Sequence, residues 1–287
     1  MSLNTVPALT GSTAVTCGCG CAGRTRRYGS DTTDAQWAIL QPMLPVPAAT
    51  GRPEKHHRRA VLDALFYLVD NGVRWRDLPA DFPPWQTVYG IFTRWSDRLT
   101  AVALVDQLRA RLRTNDGRRR QPSAGCLDAQ SVKESADAVV PAASSGYDAH
   151  KRVNGRKRHI IVDTLGLLIA VHVTPANARD TTGAYPLLTH AALHGVRHVW
   201  ADRAYHGDLI PWAAHTHNIT VEVVERPRNT GFHLLPRRWV VERSFAWITR
   251  RRRCARDYER LPDHHETIVY LAAALHMSRR AARTHTT

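Results

Sequence analysis

Residues 159–175 read HIIVDTLGLLIAVHVTP. Two runs rich in Ile, Val and Leu meet at Gly166. Branched side chains suit a pleated surface, and a glycine between two such runs marks a turn, so the stretch predicts a β-hairpin. Upstream, CLDAQSVK (126–133) reads as a short strand ending in polar residues. Downstream, RDTTGAYPLLTHAAL (179–193) reads as a helix with Thr182 near its start, and VRHVWADRAYHG (196–207) as a buried strand with a polar end. DLIPWAAHTHN (208–218) is helical, ITVEVVERP (219–227) is another strand, and PRRWVVERSFAWITRRRR (236–253) is a helix. A pair of strands followed by alternating helices and strands predicts an α/β domain with a mixed sheet from about residue 124 onward.

Before residue 114 the periodicity is helical. SDTTDAQWAIL (30–40) offers Ser30 or Asp31 as a cap and starts a stripe of Trp37, Leu40 and Leu44. The Pro/Gly-rich segment 42–53 is a loop. Segment 54–75 predicts a helix with Val61, Leu65 and Leu68 on one face, ended by Asn71-Gly72. A Pro-rich turn then leads to a helix striped with Trp85, Val88, Phe92 and Trp95. The pattern is compatible with a helix-turn-helix. The aromatics read as core, while Arg74, Arg76 and Arg94 read equally as DNA contacts or as plain surface. A further helix covers about 101–113. The expected organisation is a tail at 1–27, a helical domain compatible with DNA binding at 28–113, a polar linker at 114–124, an α/β domain at 125–280 and a frayed end at 281–287.

The 287-residue chain carries 40 Lys and Arg against 25 Asp and Glu, a net charge of +15. A protein this basic calls for a polyanion, with nucleic acid the default partner. No run of about 18 apolar residues is present to span a bilayer. The five cysteines, three of them in TCGCGCAG (16–23), lack the spacing of a disulfide framework. With no signal-peptide pattern at the start, the expected address is cytoplasmic. No phosphate-binding loop and no G-x-S-x-G elbow is present.

Three acids occupy special places. Asp128 and Asp202 each close a strand-like run, and Glu242 lies on a helix. Ligands of open α/β sheets gather at the carboxyl ends of strands. Two aspartates there, facing a helical glutamate, predict an anionic pocket that needs a cation. Oxygen-only ligands suit Mg²⁺, with Mn²⁺ as a substitute. Arg238, Trp239, Phe245 and Ala246 share the Glu242 face at three- and four-residue spacing, so that face reads as apolar and inward. A buried Glu242–Arg238 pair is the structural alternative. The three acids are then expected within metal-sharing reach of one another. Arg250, Arg251 and Arg252, at the far end of the helix, are positioned for a phosphate backbone. In HKRVNGRKRH (150–159), Lys151, Arg152, Arg156, Lys157 and Arg158 read as phosphate contacts beside the pocket. Asp163 reads as a hairpin support, Asp180 as a reserve metal ligand, and Glu222 and Glu225 as exposed. None of the 16 histidines is expected to join a carboxylate at metal spacing, and His264-His265 reads as capping or solvent-facing.

The segments LDAQSVK, GYDAHKRVNGRKRHIIVDTLGLLIAVHVTPANARD, ADRAYHG and RRWVVERSFAWITRRRR resemble the catalytic domain of bacterial insertion-sequence DDE transposases of the insertion sequence five family. TTDAQWAIL, GRPEKHHR and GVRWRDLPADFPPWQTVYGIFTRW resemble that family's helical N-terminal part. The resemblance runs from about Arg27 to the C-terminal helix. It implies an RNase H-like fold and places the triad on Asp128, Asp202 and Glu242. It also implies DNA-contacting roles for Tyr205 and for Arg238, one turn before the glutamate. Leu235 and Thr249 stand where the family's signature has Tyr and Lys, with Arg250 next to Thr249, and Ala129 stands where Ser is common. The implied activity is cutting of the element's ends and joining of the 3′-OH to target DNA with two metal ions. The implied partners are the terminal inverted repeats, target DNA and a second copy of the chain, in a nucleoid-associated complex. A nuclease of the same fold that only hydrolyses, or a catalytically silent DNA-binding protein, are the alternatives.

Overall fold

The computed structural model describes residues 25–45, 54–97, 99–136, 140–224 and 238–283. Of the expected tail at 1–27, residues 1–24 and the cysteines in them lie outside these, as do Leu235, Glu225 and residues 284–287.

Helix α1 (Asp34–Leu40) is capped by Thr33, not by Ser30 or Asp31. Thr33 and Gln36 form a reciprocal capping box. Asp31 is turned inward and accepts the amides of Arg27 and Tyr28. Helix α2 (Arg58–Asn71) ends where expected, on Gly72 in the left-handed conformation, φ 71°. Helices α3 (Trp85–Asp97) and α4 (Thr100–Asn115) complete the helical part. Val88 and Phe92 of the aromatic stripe are buried, and Trp85 and Trp95 are half-buried.

The mixed sheet is present. Strand β1 (Ala124–Lys133) is central. It pairs antiparallel with β3 (Val153–Asp163) and parallel with β5 (His198–Ala201), which pairs parallel with β6 (Thr220–Val223). The far edge of β3 is shared by β2 (Gly146–Asp148) and β4 (Leu168–Pro175). The β3–β4 hairpin turns at Gly166, φ 82°. Asp163 supports it as expected, accepting the amides of Leu165 and Leu167 and pairing with Arg113 of α4 at 2.7 Å.

Each face of the sheet buries its own core. Helices α5 (Asp180–Leu193) and α6 (Leu209–His217) cover one face, meeting Leu127, Val199 and Ala201. Helix α7 (Arg238–Thr249), the short α8 (Arg252–Ala255) and α9 (Pro262–Arg283) lie on the other, meeting Cys126, Trp200, Ile160 and Val162. The same core continues into α1, α2, α3 and α4. The 114–124 stretch is largely exposed, yet the helices before it and the sheet after it pack together: Gln36 bonds Ser278, and Arg109 donates to the Leu168 carbonyl.

Two expectations need correction. His264 and His265 are buried: His265 pairs with Asp257 at 2.8 Å, and His264 packs edge-on against Phe92. Residues 281–283 are not frayed, because α9 runs to Arg283 and Ala281 is fully buried.

Candidate active site

Two parallel strands set the site. β1 and β5 are in register through the pair Cys126–Trp200. Two residues beyond that pair stand Asp128 and Asp202, and side chains two apart on a strand share a face. Both aspartates therefore face the α7 side, the side on which Cys126 and Trp200 are packed.

Asp202 closes β5 and caps the next turn, accepting the Ala204 amide at 2.9 Å. Its other oxygen lies 3.7 Å from Arg238 at the start of α7. The same guanidinium lies 4.0 Å from Glu242. At these separations the contacts are Coulombic and not hydrogen bonds. Asp128 is partly buried and accepts the Ala129 amide at 2.8 Å. Burial, aided by the charge of Asp202, pushes its carboxyl up to about 6 against the pull of that amide, Arg238 and Lys151. Behind the acids, Tyr205 is fully buried and its hydroxyl has no hydrogen-bond partner among the described residues. Burial raises its pKa well above the usual phenol range, with Asp128, Asp180 and Asp202 adding to the effect.

The face of Glu242 differs from expectation. The buried stripe of α7 is Val240, Val241, Ser244, Phe245 and Ile248. Glu242 lies on the opposite side with exposed Trp239 and Ala246, its side chain 58% accessible. Three- and four-residue spacing groups positions on a helix but does not say which group is inside, and the neighbouring stripe is more apolar. The three acids are also not drawn within metal-sharing distance. Among the described residues, the group of three whose ligand atoms lie within 4.8 Å of one another is Asp106, His190 and His194, which corrects the expectation that no histidine meets a carboxylate. That group is occupied from within. Arg109 sits 2.7 Å from Asp106 and donates to His194 Nδ1 at 3.3 Å. A metal-bound imidazole needs an acceptor at that nitrogen, and here it meets a donor.

The basic run is corrected in part. Lys151 and Arg152 are exposed, and Lys151 Nζ is 3.3 Å from the Ala129 carbonyl at the mouth of the site. Arg156, Lys157 and Arg158 are buried on β3. Arg156 holds Asp257 at 3.0 Å and the carbonyls of Ser144, Glu259 and Arg260. Lys157 holds Asp180 at 2.9 Å, which removes the reserve ligand from the site, and Arg158 donates to Gln130. None of the three has surface for a phosphate, and fully buried Tyr205 has none either. Cover on both faces of β3, which is buried without a break from Gly155 to Asp163, and the buried acid Asp257, some hundred residues away, decide this, and neither is visible in a local charge run. Arg250 and Arg252 are exposed, while Arg251 pairs with Asp70 at 2.6 Å. Glu222 is exposed and pairs with His198.

Asp128 does not close its strand as expected: it lies in the middle of β1, which continues to Lys133 along β3. A central strand flanked by antiparallel and parallel neighbours, with one aspartate on it, a second at the close of the adjacent parallel strand and a helix-borne glutamate nearby, makes this an RNase H-like fold. The chain belongs to the family described as "Transposase DDE domain", which matches residues 119–277. The family described as "Putative transposase of IS4/5 family" matches residues 32–105. Among curated proteins, the chain is 33% identical over 130 residues to the "Putative transposase for insertion sequence element IS402" of Burkholderia cepacia, covering 42% of this chain and 62% of that protein. It is 31% identical over 125 residues to the "Putative transposase for insertion sequence element IS6501" of Brucella ovis, covering 42% of this chain and 95% of that protein. The family implies use of a divalent metal. No helix of the described residues is long and apolar enough to cross a membrane.

Proposed function

We propose that the chain is a DNA transposase that cuts the ends of its insertion sequence and joins the freed 3′-OH ends to target DNA. The observation that carries this reading is the placement of Asp128 on β1 and Asp202 at the close of β5, each two residues beyond the parallel pair Cys126–Trp200, with Arg238 between Asp202 and Glu242.

The residues fit a hard divalent cation. Asp128, Asp202 and Glu242 offer only oxygen, and the pair of aspartates carries a repulsion that Arg238 relieves only in part. Bound there, Mg²⁺ would supply acidification of an attacking oxygen and charge stabilisation of the leaving one. In the first step water attacks phosphorus and the P–O3′ bond breaks, leaving a 3′-OH and a 5′-phosphate. In the second, that 3′-OH attacks a target phosphorus and displaces another 3′-oxygen. Both are in-line displacements, so the protein's part is to position and to neutralise charge. Asp128, Asp202 and Glu242 would hold the cation, and Arg238, 3.7 Å from Asp202 and 4.0 Å from Glu242, would then be available to a phosphate oxygen. The exposure of Glu242 agrees with this, since substrate must reach it from solvent. Lys151 and Arg152 line the mouth on the β1 side and meet the backbone there. Two element ends must be held at once, so the working form is a homodimer.

Incubation of the full chain with DNA carrying its element's own ends and a supercoiled target tests the reading. Mg²⁺-dependent 3′-end nicking and joined products are expected. Nicking without joining would replace the transposase by a hydrolytic nuclease.

A further inference from the structure

The face shared by α7 and the end of α9 carries five arginines that the reaction does not use. Arg243 lies between two indoles, its guanidinium carbon 4.5 Å from the Trp239 ring centre and 4.6 Å from that of Trp247. Trp247 stacks on His276 of α9 at 4.4 Å. Arg279, Arg280 and Arg283 follow within two turns of His276. Arg251 reaches the same place through Asp70, which lies 2.6 Å from Arg251 and 3.5 Å from Arg279. Arg280 pairs with Asp116 at 2.7 Å. Among the described residues two carboxylates thus stand in ion pairs with three of the five guanidiniums, those of Arg251, Arg279 and Arg280. The excess is felt inside: burial first, then Arg251, Arg280, Arg283 and Arg279, hold His276 down to about 4.

A helix dipole favours cations in the last turn, and that accounts for Arg280 and Arg283. It does not account for Arg243 and Arg251, which come from α7 and the residues after it. Bringing them beside the α9 cations adds repulsion that surface ion pairs offset weakly. A polyanion would remove it. The indoles hold Arg243 and Asp70 holds Arg251 and Arg279, so less side-chain freedom is lost when a phosphate arrives.

We propose that this α7–α9 face, built from Arg243, Arg251, Arg279, Arg280 and Arg283, is a docking track for the phosphate backbone of a DNA duplex, separate from the acidic site. The inference rests on the transposase reading and adds to it the surface that the duplex follows. Trp239, exposed on the same side of α7 as Glu242, stacks on Arg243, so a strand placed at the acids continues onto the track. Phosphate contacts position a duplex without reading its sequence, which is the role this face takes.

The test is fluorescence anisotropy of the full chain with a labelled duplex bearing one element end, in EDTA to prevent cutting, across a salt series. The pair Arg280→Ala and Arg283→Ala is expected to weaken binding by about 10-fold or more and to flatten the salt dependence of log K by about 2, roughly one per lost phosphate contact. The corresponding pair of lysine substitutions keeps the wild-type slope. If the double alanine variant does not fold, Arg283→Ala alone, at an exposed position, carries the test with a slope change of about 1. Wild-type binding with an unchanged slope in the alanine variants would overturn the track alone. No duplex binding by the wild type would overturn the transposase reading together with it.

Discussion

Asp128 is less stable as an anion in the folded protein than in water, and its position explains why. It is partly buried beside Asp202, and its pKa rises from 3.8 to about 6. A carboxyl raised on folding favours the native state fully below its unfolded pKa, and that contribution is lost as pH rises through about 6. Asp128→Asn should therefore raise the stability of the metal-free protein at pH above 7 by about 1–2 kcal/mol after solvent screening, and should have little effect near pH 4. Thermal melts in EDTA at the two pH values check this; equal shifts at both would contradict it. Asp202 was legible from its place at the end of a strand-like run; Asp128 was read the same way, yet it lies in the middle of β1, which continues to Lys133. The exposure of Glu242 was not, because the arginines and tryptophans around it obscure which stripe of α7 is the more apolar.

At the scale of elements, the hairpin at Gly166, the order of strands and helices after it and the stop at Gly72 all followed from local pattern. Long-range partners did not. Arg156 reads as a phosphate contact in sequence and proves to be buried against Asp257, which also binds His265. Removing one member of a buried charged pair leaves the other uncompensated, so Arg156→Met should destabilise the protein by about 3–5 kcal/mol. Urea denaturation measures this, and the salt dependence of DNA binding should stay at the wild-type value. A flatter salt slope with unchanged stability would return Arg156 to the DNA surface. Gly72 joins α2 to α8: a Cβ there would lie 2.9 Å from the Arg252 Cβ, with a backbone φ of 71° that alanine disfavours. Gly72→Ala should cost about 1–3 kcal/mol by the same measurement.

For the whole molecule, composition pointed to a polyanion, and the change near residue 114 pointed to two parts. The parts share a core, however. Leu104, Leu108 and Leu112 of α4 are fully buried in the same cluster as Val269, Leu271 and Leu275 of α9. Of α9 only a C-terminal helix was legible in the sequence, without its bounds or its buried face, because its packing partners lie far away in the chain. We expect a single calorimetric transition for the full chain, and a fragment beginning at residue 119 that fails to unfold cooperatively. Two separated transitions would show that the helical part is an independent unit. The central claim, that these acids perform metal-dependent DNA cutting, is tested most directly by Asp202→Asn, since asparagine can still cap the Ala204 turn. With Mg²⁺ and duplex carrying the element's ends, the variant should bind as the wild type does yet cut on the order of 10³-fold more slowly. Cutting at the wild-type rate would contradict the account.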